Sequence, residues 1–111
     1  MAWFNADDKM HSHPKMRAAG LEAIGLWTLA GTYCTDYLTD GDVPAWFVDS
    51  WPKGKQLAQK LVKAGLWTAD GDDWRFLSWG EYQRTKEQVI AAKEKAAERK
   101  AKFIQNKNQT E

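Results

Sequence analysis

Residues 55–79, KQLAQKLVKAGLWTADGDDWRFLSW, most constrain what this chain can fold into. Leu57, Ala58, Leu61 and Val62 recur at helical spacing, with Gln56, Gln59 and Lys63 centred on the opposite face and Lys55 and Lys60 at its flanks. Gly65 stands where such a helix stops. Two Trp-rich segments follow, LWTA and WRFLSW, with aromatics on alternating positions around Asp-Gly-Asp-Asp, a hairpin signal. The stretch therefore reads as an amphipathic helix followed by two paired strands, residues 66–69 and 74–79. Trp74, docked on the body of the domain, is expected to cost about 3–5 kcal/mol when truncated to Ala.

The segments upstream supply what that unit packs against. Residues 21–38, LEAIGLWTLAGTYCTDYL, place Leu26, Leu29, Ala30, Tyr33 and Tyr37 on one face and Ile24, Trp27, Cys34 and Leu38 on another. Only Glu22, Thr28, Thr32, Thr35 and Asp36 are polar, so the pattern predicts a central helix buried nearly all round. Gly25 and Gly31 are read as points where another backbone packs close. Before it, WFN is a short strand or extended arm, and Pro14 lies near the start of a short helix that Gly20 ends. After it, Asp40-Gly41 supplies a turn, Val43 a very short strand, and Pro44 the first turn of another short helix. Pro52 forces the chain to turn at Trp51 before the amphipathic helix begins.

The order is helix, tiny strand, short helix, turn, amphipathic helix, strand, turn, strand. That is the order of a winged helix: an α+β, mostly helical domain in which the last two helices form a helix-turn-helix and the hairpin is the wing. We place this domain at residues 1–83 and a basic C-terminal helix and frayed tail at 84–111. A modest core suffices for 111 residues, and seven Trp, four Phe and three Tyr supply it. Five tryptophans are assigned to that core; Trp3 and Trp79 lack a clear place. Their alternative use, as stacking platforms for single-stranded nucleic acid, is the weaker reading.

Charge sharpens the functional question. The net charge is only +1, which excludes a uniform polycation, but residues 1–80 hold eight Lys/Arg against ten Asp/Glu and residues 81–111 hold eight against five. The excess lies in RTKEQVIAAKEKAAERKAKFIQNK, rich in Ala, Lys and Glu and free of Gly and Pro, hence a long exposed helix fraying at QNKNQTE. Its stripe of Val89, Ala92, Ala96 and Phe103 is too rich in alanine to specify a coiled coil, so a homodimer is compatible with the sequence and not specified by it. A single cysteine excludes an internal disulfide, no apolar run has the length of a membrane span, and the acidic MAWFNADDK lacks the basic region of a signal peptide. A cytoplasmic protein with no membrane partner is the expectation.

A helix face of lysines and glutamines suits a DNA groove, because lysines neutralise phosphates and glutamine offers a donor and an acceptor to a base edge. Lys53, Lys55, Gln56, Gln59, Lys60 and Lys63 are the candidates on that helix. Arg75 on the hairpin and Arg84, Lys86, Lys93, Arg99 and Lys100 along the C-terminal helix are candidates for the phosphate backbone. Asp70, Asp72 and Asp73 oppose this at the wing, where like charges repel phosphate, so the wing is expected to turn away from DNA. Asp7, Asp8, His11 and His13 match no metal-ligand spacing, and no catalytic triad, nucleophile pair or phosphate-binding glycine loop is present; no cofactor, no metal and no enzymatic activity are expected.

The segments MAWFNADDKMHSHPK, AIGLWTLAGTYC, LTDGDVP, LVKAGLW and YQRTKEQV, in this order over about residues 1–90, resemble a family of small proteins and N-terminal domains of actinobacterial phages and their host genomes. Many members are termed helix-turn-helix or replication-initiation-like. The resemblance implies a winged-helix DNA-binding domain, with a replication or helicase-loading role for some members; replication or gene regulation in a bacterial host cell is the role expected of this chain. This chain departs from it in the extra acid of its wing and in lacking the longer C-terminal region of some relatives. Double-stranded DNA is the expected partner. The competing reading is a protein-interaction module whose acidic wing and exposed aromatics bind a host or phage replication protein and interfere with host function.

Overall fold

The computed structural model describes residues 3–109. Residues 3–7 form an extended arm rather than a strand, and a short 3-10 turn, Met10–Ser12, leads into α1 (Pro14–Ala19). Pro14 loses nothing at the first helical position, and the His13 side chain accepts from the Lys15 N–H at 3.2 Å to cap the helix. Gly20 ends α1, and α2 (Leu21–Tyr37) starts at once.

Helix α2 buries one side only. Ala23, Leu26, Trp27, Ala30, Gly31 and Cys34 face the core, whereas Leu21, Leu29 and Tyr37 are exposed, contrary to the expectation of burial all round. The reason is supply: α4 and the small sheet cover one flank, and the five-residue α3 is too short to cover the other. The two glycines also differ from expectation. Gly25 faces open space, while Gly31 admits a side chain, the Phe4 ring, rather than a backbone. Phe4 is thereby seated against Trp27 at 4.9 Å between ring centroids, and against Phe76 and Trp79 at 6.1 Å. Asn5 and Gln83 fasten the arm: the Asn5 N–H donates to Gln83 Oε1 at 2.8 Å, and Gln83 Nε2 donates to the Asn5 carbonyl at 2.6 Å.

The next elements are β1 (Asp42–Val43), α3 (Ala45–Asp49), α4 (Gly54–Lys63), β2 (Trp67–Asp70) and β3 (Asp73–Phe76). The strands form an antiparallel sheet in the order β1-β3-β2, which with the helix order gives a winged-helix-like α+β arrangement. Trp67 pairs with Phe76 and Ala69 with Trp74, so the even spacing sends both large rings of the Trp67–Phe76 pair into the core. Only Gly71 of the two-residue turn has positive φ, at 61°, as a type II′ hairpin needs. The second strand stops at Phe76 and does not continue to residue 79. Ser78, at φ 58°, redirects the chain into α5 (Trp79–Tyr82), which places Trp79 in the core.

Two local devices hold α4 in place. Gly65, at φ 85°, closes its end: the Leu66 N–H donates to the Leu61 carbonyl at 2.9 Å and the Gly65 N–H to that of Val62 at 3.0 Å, a Schellman closure. At its start Gly54 lies directly beneath the Val48 carbonyl of α3, leaving no room for a side chain. Gly54→Ala, which would raise helix propensity by about 1 kcal/mol on an open surface, is expected to lower stability by about 1–3 kcal/mol because the methyl collides with backbone. A urea midpoint equal to or above that of the parent would refute this close approach.

Cys34 is buried, and its thiol donates to the Asp42 carbonyl at 3.4 Å. Burial pushes its pKa from 9.0 up to about 11. The thiolate fraction at neutral pH then falls about a hundredfold, on top of blocked access. A thiol-reactive disulfide reagent should label the protein only on unfolding; prompt labelling at pH 8 in native buffer would count against this packing.

Helix α6 (Lys86–Gln109) ends the described chain. The helix assignment runs through QNKNQ to Gln109, and residues 110 and 111 lie outside the described residues. Of the expected stripe, Val89 is buried, Ala92 and Ala96 are exposed, and the side chain of Phe103 lies outside what is described.

Candidate nucleic-acid interface

The two faces of α4 separate cleanly. Gly54, Leu57, Ala58 and Leu61 are buried against α2, α3 and the start of β2, and Lys55, Gln56, Gln59, Lys60 and Lys63 are exposed on the other side. Lys53 precedes them in the left-handed region at φ 57°, and its side chain makes no capping bond. None of these six side chains engages in a hydrogen bond or ion pair among the described residues. Four cationic heads and two amide groups thus share one surface that the fold does not otherwise use. Spacing alone brings the five α4 residues together, and Lys53 lies in the turn just before the helix.

Arg75 is placed differently from these. It lies on the central strand opposite Asp42, and its Nε donates to Asp42 Oδ1 at 2.7 Å, an ion pair with both side chains about half exposed. The Asp42 carboxylate raises the guanidinium pKa above its ordinary value. Arg75 is therefore paired with the Asp42 carboxylate of β1, and Asp70 of the hairpin acts on it only as a more distant charge. The acids of the wing divide as well. Asp73 Oδ1 accepts from the Ala45 N–H at 2.8 Å, capping α3 from 28 residues away, because Pro44 has no polar side chain with which to do so. Asp70 faces Asp73 across the hairpin and Asp72 sits in its turn, both exposed.

The tail candidates form a second group. Thr85 and Gln88 make a reciprocal capping box: the Gln88 N–H donates to Thr85 Oγ1 at 3.3 Å and the Thr85 N–H to Gln88 Oε1 at 2.9 Å. The signature Thr-x-x-Gln is legible in the sequence and marks where the helix begins, a signal the reading by charge passed over. Asp40 Oδ1 also accepts from the Lys86 N–H at 2.6 Å, and Val89 is buried, so α6 is anchored beside the turn that precedes β1. Residues 91–102 are exposed throughout, with Lys93, Arg99 and Lys100 among them; Arg84 and Lys86 lie exposed at the anchored end. The α4 group and the α6 group are thus carried on separately anchored elements, and the molecule extends 64 Å along its long axis against 30 and 20 Å.

In the loop before α1, Asp7 Oδ1 accepts from the Lys9 N–H at 2.9 Å, and this bond holds the carboxyl pKa below its ordinary value. His13 is occupied as the α1 cap. No three His, Cys, Asp or Glu side chains converge on a possible metal position among the described residues, and no helix there is long and apolar enough to cross a membrane.

The tryptophans sort differently from expectation. Trp27, Trp67 and Trp79 are core, Trp74 is half-buried, and Trp46 and Trp51 are exposed at 62% and 38%. The fold and this face together define a winged-helix-like α+β domain whose α4 exposes a basic, amide-bearing face and whose C-terminal helix α6 is basic and exposed over residues 91–102. Comparison with protein-family models, with curated proteins and with solved structures finds no match in any of the three.

Proposed function

We propose that this chain is a non-enzymatic double-stranded DNA-binding protein. Helix α4 enters the major groove and α6 runs along the phosphates. The observation that carries this reading is the exposed face of α4, where Lys55, Lys60 and Lys63, with Lys53 just before the helix, flank Gln56 and Gln59 with no internal partner among the described residues. Lysine positions and glutamine reads; the spacing lets both act in one groove. Asp70 and Asp72 repel phosphate, so the wing lies off the duplex in this reading, and Arg75, paired with Asp42, is the weakest of the candidate contacts. A step of phage replication or gene regulation in the bacterial cytoplasm, as the segment resemblance implies, is the setting we attach to this proposal.

A gel-shift titration on random duplex DNA across a salt series tests it. Each neutralised phosphate contributes about −0.9 to the slope of log K against log salt, so Lys53 and the three lysines of α4 together imply about −3.6 before α6 is added. Absence of binding at low salt, or binding that does not respond to salt, would remove the reading.

A further inference from the structure

The side of α2 that the core leaves uncovered is not bare polar surface. Leu29, Tyr33 and Tyr37 stand one turn apart on it, and Phe47 of α3 and Trp51 of the following turn close the other wall, around a groove of about 420 Å³. The rings form a continuous series: Tyr37 to Tyr33 at 4.9 Å between centroids, Tyr33 to Phe47 at 4.9 Å and Phe47 to Trp51 at 6.1 Å. Trp46 packs edge-on against Tyr33 at 5.7 Å. Tyr37 is 67% exposed, so a large part of this aromatic surface meets water. An exposed series of rings of this kind is a candidate interaction surface.

Charge decides what the groove can accept. Asp36 lines it and Asp49 lies on the same short helix as Phe47; neither carboxylate has a hydrogen-bond or ion-pair partner among the described residues. No lysine or arginine lines the groove. Aromatic faces carry the negative end of their quadrupole, so rings and carboxylates present the same sign. A nucleic-acid strand could stack its bases on such rings, but its phosphates would meet Asp36 with no cation to offset the repulsion. A planar cation suits the site on both counts. Guanidinium stacks on aromatic faces and pairs with a carboxylate through its fork of N–H donors, and it sheds water more readily than an ammonium.

We propose that this groove docks an arginine-bearing extended segment of a partner protein, with the guanidinium among the rings of Tyr33, Tyr37 and Trp51 and its N–H groups on Asp36. The site shares no lining residue with the lysine face of α4, and the proposal does not depend on DNA binding there.

The test is a nitrogen-15 NMR titration of the full chain with an acetylated, amidated Pro-Arg-Pro-Arg-Pro peptide, beside the same peptide carrying Glu for Arg and beside an oligothymidine. Saturable shifts confined to the groove are expected with the arginine peptide alone. Asp36→Asn and Tyr37→Leu, both at exposed positions, should each weaken that binding about fivefold or more while keeping the native spectrum. Asp36→Asn should leave duplex DNA affinity undiminished. Equal binding of the glutamate peptide, or no saturable shift, overturns the proposal. Shifts produced by oligothymidine in preference to the peptide would assign the groove to single-stranded nucleic acid, and groove signals that change with protein concentration alone would assign it to a second copy; either result also overturns it.

Discussion

Trp67→Ala is expected to lower stability by about 3–5 kcal/mol, the scale for truncating a large buried aromatic. Trp67 is 1% exposed and packs on Phe76 at 5.3 Å between centroids, with Trp74 at 6.5 Å. A loss of that size is a large fraction of the roughly 5–15 kcal/mol that holds a domain together. Trp74, at a half-buried position, should cost clearly less, which reverses the weight that the hairpin pattern places on it. Trp67→Phe separates two contributions. The indole Nε1 of Trp67 is buried without a hydrogen-bond partner among the described residues, so phenylalanine loses volume but also removes a donor unpaired there, and it should recover most of the loss. Urea unfolding of the three variants measures this. A Trp67→Ala protein as stable as the parent would mean that the hairpin does not dock on α2 and α4.

The second large effect concerns binding. Lys60→Ala combined with Lys63→Ala should weaken DNA affinity about a hundredfold at 0.1 M salt and flatten the salt slope by up to roughly two units. Both side chains are exposed and unpaired among the described residues, so their removal leaves the fold intact and the effect reads on binding alone. Gln56→Ala and Gln59→Ala should leave the slope unchanged and blur any base preference. Removal of residues 91–111 should weaken binding on every sequence without altering preference, since α6 offers cations but no groove geometry. Binding lost with the tail yet unaffected by the α4 substitutions would make the protein a basic-tail binder, with residues 55–79 serving as scaffold.

Much of the architecture was legible because it is encoded by neighbours in the chain. The apolar repeat of α4, the closure at Gly65, a turn within Asp-Gly-Asp-Asp and the proline starts of α1 and α3 each depend on groups within a few residues of one another, although the turn is tighter than the four residues read, because Asp70 and Asp73 pair within the strands. Thr85 and Gln88 belong to the same class, though charge composition drew the eye away from them. The division of α4 into a buried and an exposed face was equally readable, since a helix shows its two sides through a period that does not depend on what it packs against.

Distant partners were a different matter. Arg75 belongs to Asp42 and Asp73 to the start of α3, although in the sequence all the hairpin charges look like one wing. Nothing in the local pattern tells Trp79, which is core, from Trp46, which is exposed, because an indole has the same affinity for the interior wherever it occurs. The chain decides between them by where Ser78 turns the backbone and by how far a five-residue helix can reach. Sequence by itself determined most of the elements, α5 and the end of β3 excepted, and the basic face of α4, through local geometry and periodicity. Tertiary structure alone decided which side of α2 stays open, which carboxylates are occupied and which aromatics meet water, because burial depends on the finite surface that other elements bring to cover each face.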